Sequence, residues 1–349
     1  MILAYAVAVL LWLSLIIYAA LEGADFGGGV WDLLAFGSQK EPMRNLIKNA
    51  IGAVWEANNV WLTYLIVGLM TAFPFVAQTL TTAFFIPLVL ILIGIVLRGA
   101  AFVFRTFSAN TKLVSTAWGR IFSISSTFTP FLFGAMAAAV SSGQVRIVNG
   151  QPPVGLVSVW LTPFAIVVGL MGIALSATIA ATYLTVEAQG QGDTAMMEAF
   201  RIRGLIAGGV MAALGAVGIA LSPWQAPILW GGMIAHAIWA VVITVLLGLA
   251  VAWALFYRHY RLSRLLMIIE TGALLGTWGL AQIPYIIPPD LTVANTASPQ
   301  TTLTELFISA LIGMSMLIPS FWFLFHVFKG ALVMPPIRET EVREEGERS

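Results

Sequence analysis

The feature that most constrains this chain is a succession of nine apolar segments, each about long enough to cross a membrane, joined by short connections. They run over roughly 2–21, 54–73, 79–104, 118–140, 157–184, 203–221, 228–256, 265–283 and 304–328. A helix needs about 20 apolar residues to cross the hydrocarbon core, and a backbone in lipid has to satisfy its own hydrogen bonds. The expected fold is therefore all-α, a polytopic membrane protein of nine transmembrane helices. With 59% hydrophobic and 9% charged residues in 349 positions, too little polar sequence remains for a separate soluble catalytic domain. The expected organisation is one integral membrane domain over 1–336 and a charged, disordered tail over 337–349, IRETEVREEGERS.

Orientation follows from the basic residues. If the N-terminus lies outside, 16 of the 17 Lys and Arg residues fall on the cytoplasmic side and only Arg146 lies opposite. The C-terminus is then cytoplasmic. The first span has no basic residue before it and runs into Glu22, so it reads as a retained helix rather than a cleaved signal peptide. A net charge of +1 without a basic soluble face argues against nucleic acid as a partner. The absence of cysteine excludes disulfides, thiolate metal sites and iron–sulfur ligation from this chain. The connection 284–302, rich in Pro, Thr and Asn, is expected to form a structured cap on the outer face.

Against this apolar background the polar residues stand out. The stretch LEGADFGGGVWDLL, Leu21 to Leu34, carries Glu22, Asp25 and Asp32. If the first helix continues through it, the three acids share an arc of about 80°, and the glycines let a neighbouring helix approach closely. A flexible break before an interfacial helix is the other reading; continuous helix is favoured, because glycine is better tolerated in lipid than in water. The stretch WEANNVW, Trp55 to Trp61, sets Glu56 at the mouth of an uncharged span. Glu56 and Asn59 share a face, with Trp55 and Asn58 on the adjacent stripe. An acid beside an amide suits a proton relay. It equally suits structural glue, with Glu56 neutralised by a basic residue such as Arg98.

The three histidines, His236, His259 and His326, lack the pairing expected of axial haem ligands and read more simply as packing or interface residues. Glu270 in the eighth segment is either a functional acid or one paired with Arg264, six residues away. There is no phosphate-binding glycine loop, nucleophilic triad or metal-ligand motif.

The two polar stretches, LEGADFGGG (Leu21–Gly29) and, after Ala50-Ile51-Gly52, WEANNVWL (Trp55–Leu62), resemble the paired motifs of subunit II of cytochrome bd-type quinol oxidases, the cytochrome d ubiquinol oxidase subunit II family. The usual forms there are close to DGFDxGVG and HWDGNQVWL. Arg98 and Arg105 keep the spacing of the family's FRPxGFxYR segment, Ala181 to Leu184 is similar to its fifth-helix end, and 283–303 resembles its outer segment before the last helix. The departures are specific. Glu22 and Glu56 replace aspartates, Ala24 an aromatic residue, Ala57 a glycine and Asn59 a glutamine, while Gly99 and Val103 replace a proline and an acid between the two arginines.

The resemblance implies two four-helix bundles plus one peripheral helix in a bacterial or archaeal plasma membrane. It implies a homologous partner, subunit I, that holds two b-type haems, one d-type or b-type haem and the quinol site, so that quinol reduces O2 to water. This chain would bind no haem or other cofactor and carry no catalytic residue. It would stabilise subunit I and help deliver cytoplasmic protons, with Glu56, Asn59, Asp25 and Glu22 as pathway candidates and Trp55, Asn58, Arg98 and Arg105 in support. Room remains for a small single-helix subunit and for a lipid or structural quinone. Two other classes stay open: a proton-coupled secondary transporter, which should show matched broken helices near the midplane, and a purely structural scaffold.

Overall fold

A computed structural model of the chain describes residues 1–51, 55–107, 112–155 and 157–330. The tail expected over 337–349 lies outside the described residues. The chain is mostly helical. Its helices are α1 (Ile2–Leu33), α2 (Lys40–Ile51), α3 (Asn59–Ala72), α4 (Pro74–Ala83), α5 (Phe85–Phe107), α6 (Lys112–Ser141), α7 (Val157–Trp160), α8 (Pro163–Gly190) and α9 (Thr194–Gln225). There follow α10 (Pro227–Gly232), a π-helical turn at Met233–Ala237, α11 (Ile238–Phe256), α12 (Tyr260–Gln282), α13 (Val293–Thr296) and α14 (Gln300–Gly330). Eight helices are long and apolar enough to cross a membrane, and the bent pair Glu56–Ala72 and Pro74–Ala83 accounts for up to one more. The protein is thus a polytopic membrane protein.

That bent pair is where the segment boundaries depart from expectation. The third apolar segment, expected from 79, becomes helical in its own right only at Phe85, because 74–83 forms a separate helix turned 115° from α3. Pro74 is the cause. It lacks an N–H, so it cannot continue α3, yet its fixed φ suits the first turn of a new helix.

The residues fall into two compact units, Met1–Leu306 and Phe307–Ser349. The first is organised around α1, which packs on α3, α6, α8 and α12. Two glycines allow the closest approaches. A Cβ at Gly27 would overlap the backbone carbonyl of Ser176 on α8, and one at Gly29 would overlap the Ser126 side chain on α6. The indole of Trp31 adds a latch, donating to the Ala177 carbonyl at 2.8 Å. Around these contacts lies a buried cluster that includes Val30, Trp31, Ile47, Phe122, Ala181 and Phe200. Outward faces are apolar, as at Val242, Leu246 and Leu249 of α11, which is what lipid requires. In the second unit the described residues are the remainder of α14, with Pro319 inside the helix.

The connection between α12 and α14 is ordered. Strands β1 (Tyr285–Ile287) and β2 (Leu291–Thr292) pair antiparallel, and Thr292 caps α13 in a reciprocal bond with Asn295. Asp290 accepts from the Ile147 N–H at 2.8 Å, and the Ser298 hydroxyl donates to the Thr71 carbonyl at 2.7 Å, which ties the connection to α6's exit and α3's end.

Candidate functional site

Helix α1 is continuous through its glycines to Leu33, so the three acids line up. In its first half the buried residues recur every three or four positions, as Ala4, Val7, Leu11, Ser14 and Tyr18; from Ala20 to Asp32 nearly the whole circumference is buried, and Glu22, Asp25 and Asp32 lie within it. Glu22 and Asp32 are fully buried. Isolated charges at such positions would be prohibitive, so each needs a partner.

The partners come from four other elements. Glu22 forms an ion pair with Arg98 of α5, itself only 1% exposed, and the Arg98 guanidinium lies over the Phe26 ring, 4.7 Å from its centroid. Asp25 accepts from the Asn58 amide at 2.9 Å, at the short 3₁₀ turn that leads into α3. Asp32 draws three groups. Arg44 of α2 lies at 3.1 Å, Arg105 of α5 at 3.2 Å, and Ser123 of α6 donates its hydroxyl at 2.5 Å. Two of the three carboxyl groups, Glu22 and Asp32, therefore face three guanidinium groups from two neighbouring helices, and Asp25 accepts from an amide. Arg98 and Arg105 are seven residues apart and so lie on one face of α5, which lets the single helix serve both ends of the acidic seam.

Glu56 is placed differently from these acids. It is exposed, and no hydrogen bond or ion pair of its side chain is seen among the described residues. Arg98, the cation considered for it from sequence, is committed to Glu22. Glu56 and Asn59 line an open cleft of about 470 Å³ with Val60, Thr63, Tyr64 and Gly68 of α3. The amide that bridges to the buried seam is Asn58, which the sequence put among the supporting residues; the Asn59 side-chain oxygen makes no hydrogen bond among the described residues. The Trp55 side chain lies outside them.

The sequence also passed over Ser14, Tyr18, Arg44 and Ser123. The signal for the first two was present, since Ser14, Tyr18 and Glu22 are spaced by four, but two hydroxyls in an apolar span look unremarkable without a view of which face is buried. Arg44 and Ser123 come from helices whose contact with Asp32 only the tertiary fold specifies.

Among the histidines, His236 places Nε2 2.9 Å from the Leu280 carbonyl, and His259 packs its ring 5.6 Å from Trp253. The His326 side chain lies outside the described residues. No group of three or more acids and histidines that could hold a metal ion occurs among the described residues. Glu270 is buried beside Gly248 of α11, and no ion pair with Arg264 is seen; Arg264 instead lies over Tyr183 at 5.7 Å.

Comparison with known proteins gives a consistent picture. The family model for cytochrome bd terminal oxidase subunit II matches residues 3–328. A Bacillus subtilis (strain 168) protein provisionally named cytochrome bd menaquinol oxidase subunit II is 22% identical over 329 residues, covering 91% of this chain and 93% of that one. Cytochrome bd-I ubiquinol oxidase subunit 2 of Escherichia coli (strain K12) is 26% identical over 184 residues, covering 51% of this chain and 47% of that one. A chain in the structure of bd oxidase from Geobacillus thermodenitrificans superposes with a TM-score of 0.72 at 20% identity, covering 94% of this chain and 99% of that one. At that identity the likeness speaks for the fold.

Proposed function

The chain belongs to the cytochrome bd terminal oxidase subunit II family, and from that premise we propose that it is the haem-free partner of a haem-bearing subunit I in a quinol:O2 oxidoreductase and helps bring cytoplasmic protons toward the oxygen-reducing haem. The complex sits in the plasma membrane of a bacterium or archaeon, this chain's N-terminus outside and its C-terminus in the cytoplasm, as the distribution of basic residues favours. Quinol supplies the electrons to haems held by subunit I.

One observation carries the proton reading: the Asn58–Asp25 hydrogen bond. It links the start of α3, where Glu56 is exposed, to the buried acids of α1. Glu56 and Asn59 at the cleft would gather protons, Asn58 would bridge inward, and Asp25 and Glu22 would hold the charge within the bundle. Arg98 and Arg105 offset that charge electrostatically, which allows acids to persist at depth. The acids cluster near one end of α1 and α3, and the bent pair α3–α4 has no matching broken pair among the described residues, which favours this reading over a secondary transporter.

Exchanging Glu56 for Gln keeps size and polarity and removes the titrating group. In the purified complex, Glu56→Gln is expected to slow quinol-driven O2 uptake by on the order of 10-fold or more, the scale on which a positioned proton-transfer group acts, with assembly and haem spectra intact. Unchanged turnover would remove Glu56 from the route. Failed assembly would favour the scaffold role.

A further inference from the structure

The polar seam of α1 does not stop at the acids. Glu22 is followed toward the N-terminus by Tyr18 and then Ser14, at steps of four residues, so their side chains stack on one face. Tyr18 is 4% exposed and Ser14 is fully buried. The Tyr18 hydroxyl, the Ser14 hydroxyl and the second carboxylate oxygen of Glu22 make no hydrogen bond among the described residues. Ser14 could have bonded back to its own helix, as Thr178 and Thr185 of α8 do at 2.8 and 2.7 Å, and it does not. Ser126 of α6, buried against Gly29 on the same helix, carries another such hydroxyl.

Buried oxygens of this kind are costly when left without a partner, and native proteins satisfy them with ordered water. The spacing suits it. Cβ atoms four apart on a helix stand about 5–6 Å from one another, so the three side chains project as neighbours from one face, where shared waters can bridge oxygens that make no direct hydrogen bond. Tyr18 is also within electrostatic reach of both Arg98 and Asp25, so such a water would have charged groups at one end.

We propose that Ser14, Tyr18 and Glu22 line an internal water-binding file that continues the acidic seam about 12 Å further into the bundle, with Tyr18 as the residue that positions its waters. The Tyr18 hydroxyl can accept a hydrogen bond from one water and donate to the next, so a proton passes by one O–H bond forming as another breaks, with no net change at the tyrosine. Use of the file for protons rests on the function proposed above; its occupancy by water does not.

The test is X-ray hydroxyl-radical labelling of the purified complex followed by mass spectrometry. Radicals made from bound water mark the side chains beside it, and dry side chains stay unmarked. Normalised for the intrinsic reactivity of each ring, Tyr18 is expected to label several-fold faster than Phe84 and Phe200, which are also buried and fully apolar. Labelling of Tyr18 no faster than these two overturns the proposal. In Tyr18→Phe, a near-isosteric change, the ¹⁶O/¹⁸O water-isotope difference infrared spectrum should lose strongly hydrogen-bonded water bands while the haem spectrum is kept; an unchanged water spectrum would refute the positioning role. Glu56→Gln separates the two ideas. If that variant turns over normally while Tyr18 still labels, the file stands and the proton entrance at Glu56 falls.

Discussion

The Glu22–Arg98 pair allows a quantitative test. Both side chains are essentially inaccessible to bulk solvent, so replacing Arg98 by Met leaves a buried carboxylate without its countercharge. Removing one member of a buried ion pair costs about 3–5 kcal/mol, and losing the guanidinium over the Phe26 ring adds about 0.5–2 kcal/mol. Glu22→Gln alone likewise removes the countercharge that the buried guanidinium faces in this pair. The double variant Glu22→Gln with Arg98→Met strands neither, so it should be more stable than the sum of the single effects implies, by a coupling energy of about 2–3 kcal/mol. The assay is the equilibrium unfolding of the purified complex in mixed micelles, run on all four corners of the cycle. Additive single effects, or a cost below about 1 kcal/mol for Arg98→Met, would show that the pair is not the constraint derived from burial, since a solvated pair contributes only about 0–1 kcal/mol.

Two further outcomes are expected. Gly27→Val places atoms on the Ser176 backbone carbonyl, which cannot rotate away, so α1 and α8 must separate at a cost of about 1–3 kcal/mol or more; Gly209→Ala, with nothing within 4 Å of the new atom, should be neutral or stabilise by up to about 1 kcal/mol, and thermal unfolding of the two variants side by side reads the contrast. In the connection above α12, Arg146→Ala removes an exposed ion pair at 3.4 Å and should change stability by less than about 0.5 kcal/mol, whereas Asp290→Ala also deprives the Ile147 N–H of its acceptor and should cost about 1 kcal/mol.

How far the site was legible depended on the kind of information needed. The tolerance of glycine in lipid favoured a continuous helix over a flexible break after Leu21, and with it the shared face of Glu22, Asp25 and Asp32; α1 does run unbroken to Leu33. Face sharing by Glu56 and Asn59 also followed from helical spacing, and both line the same cleft. Which amide turns inward did not follow, because Asn58 and Asn59 are adjacent and chemically equivalent; the packing of the α3 start against α1 selects Asn58. Nor did the partner of Arg98. The sequence offered Arg98 to Glu56, and the fold pairs it with Glu22 instead.

The sequence by itself determined that the chain is a membrane protein built of long helices, because a backbone in lipid has few ways to satisfy its hydrogen bonds and the apolar runs have the length those ways demand. It also pointed to the family, through the resemblance of two polar stretches to that family's paired motifs, and the family model matches residues 3–328. Only the tertiary structure decided which polar groups meet. In a span that is apolar on every side, hydrophobic periodicity does not mark an inner face, so the seam from Ser14 to Asp32 and its arginine partners became definite only when α5, α6 and α8 closed around α1.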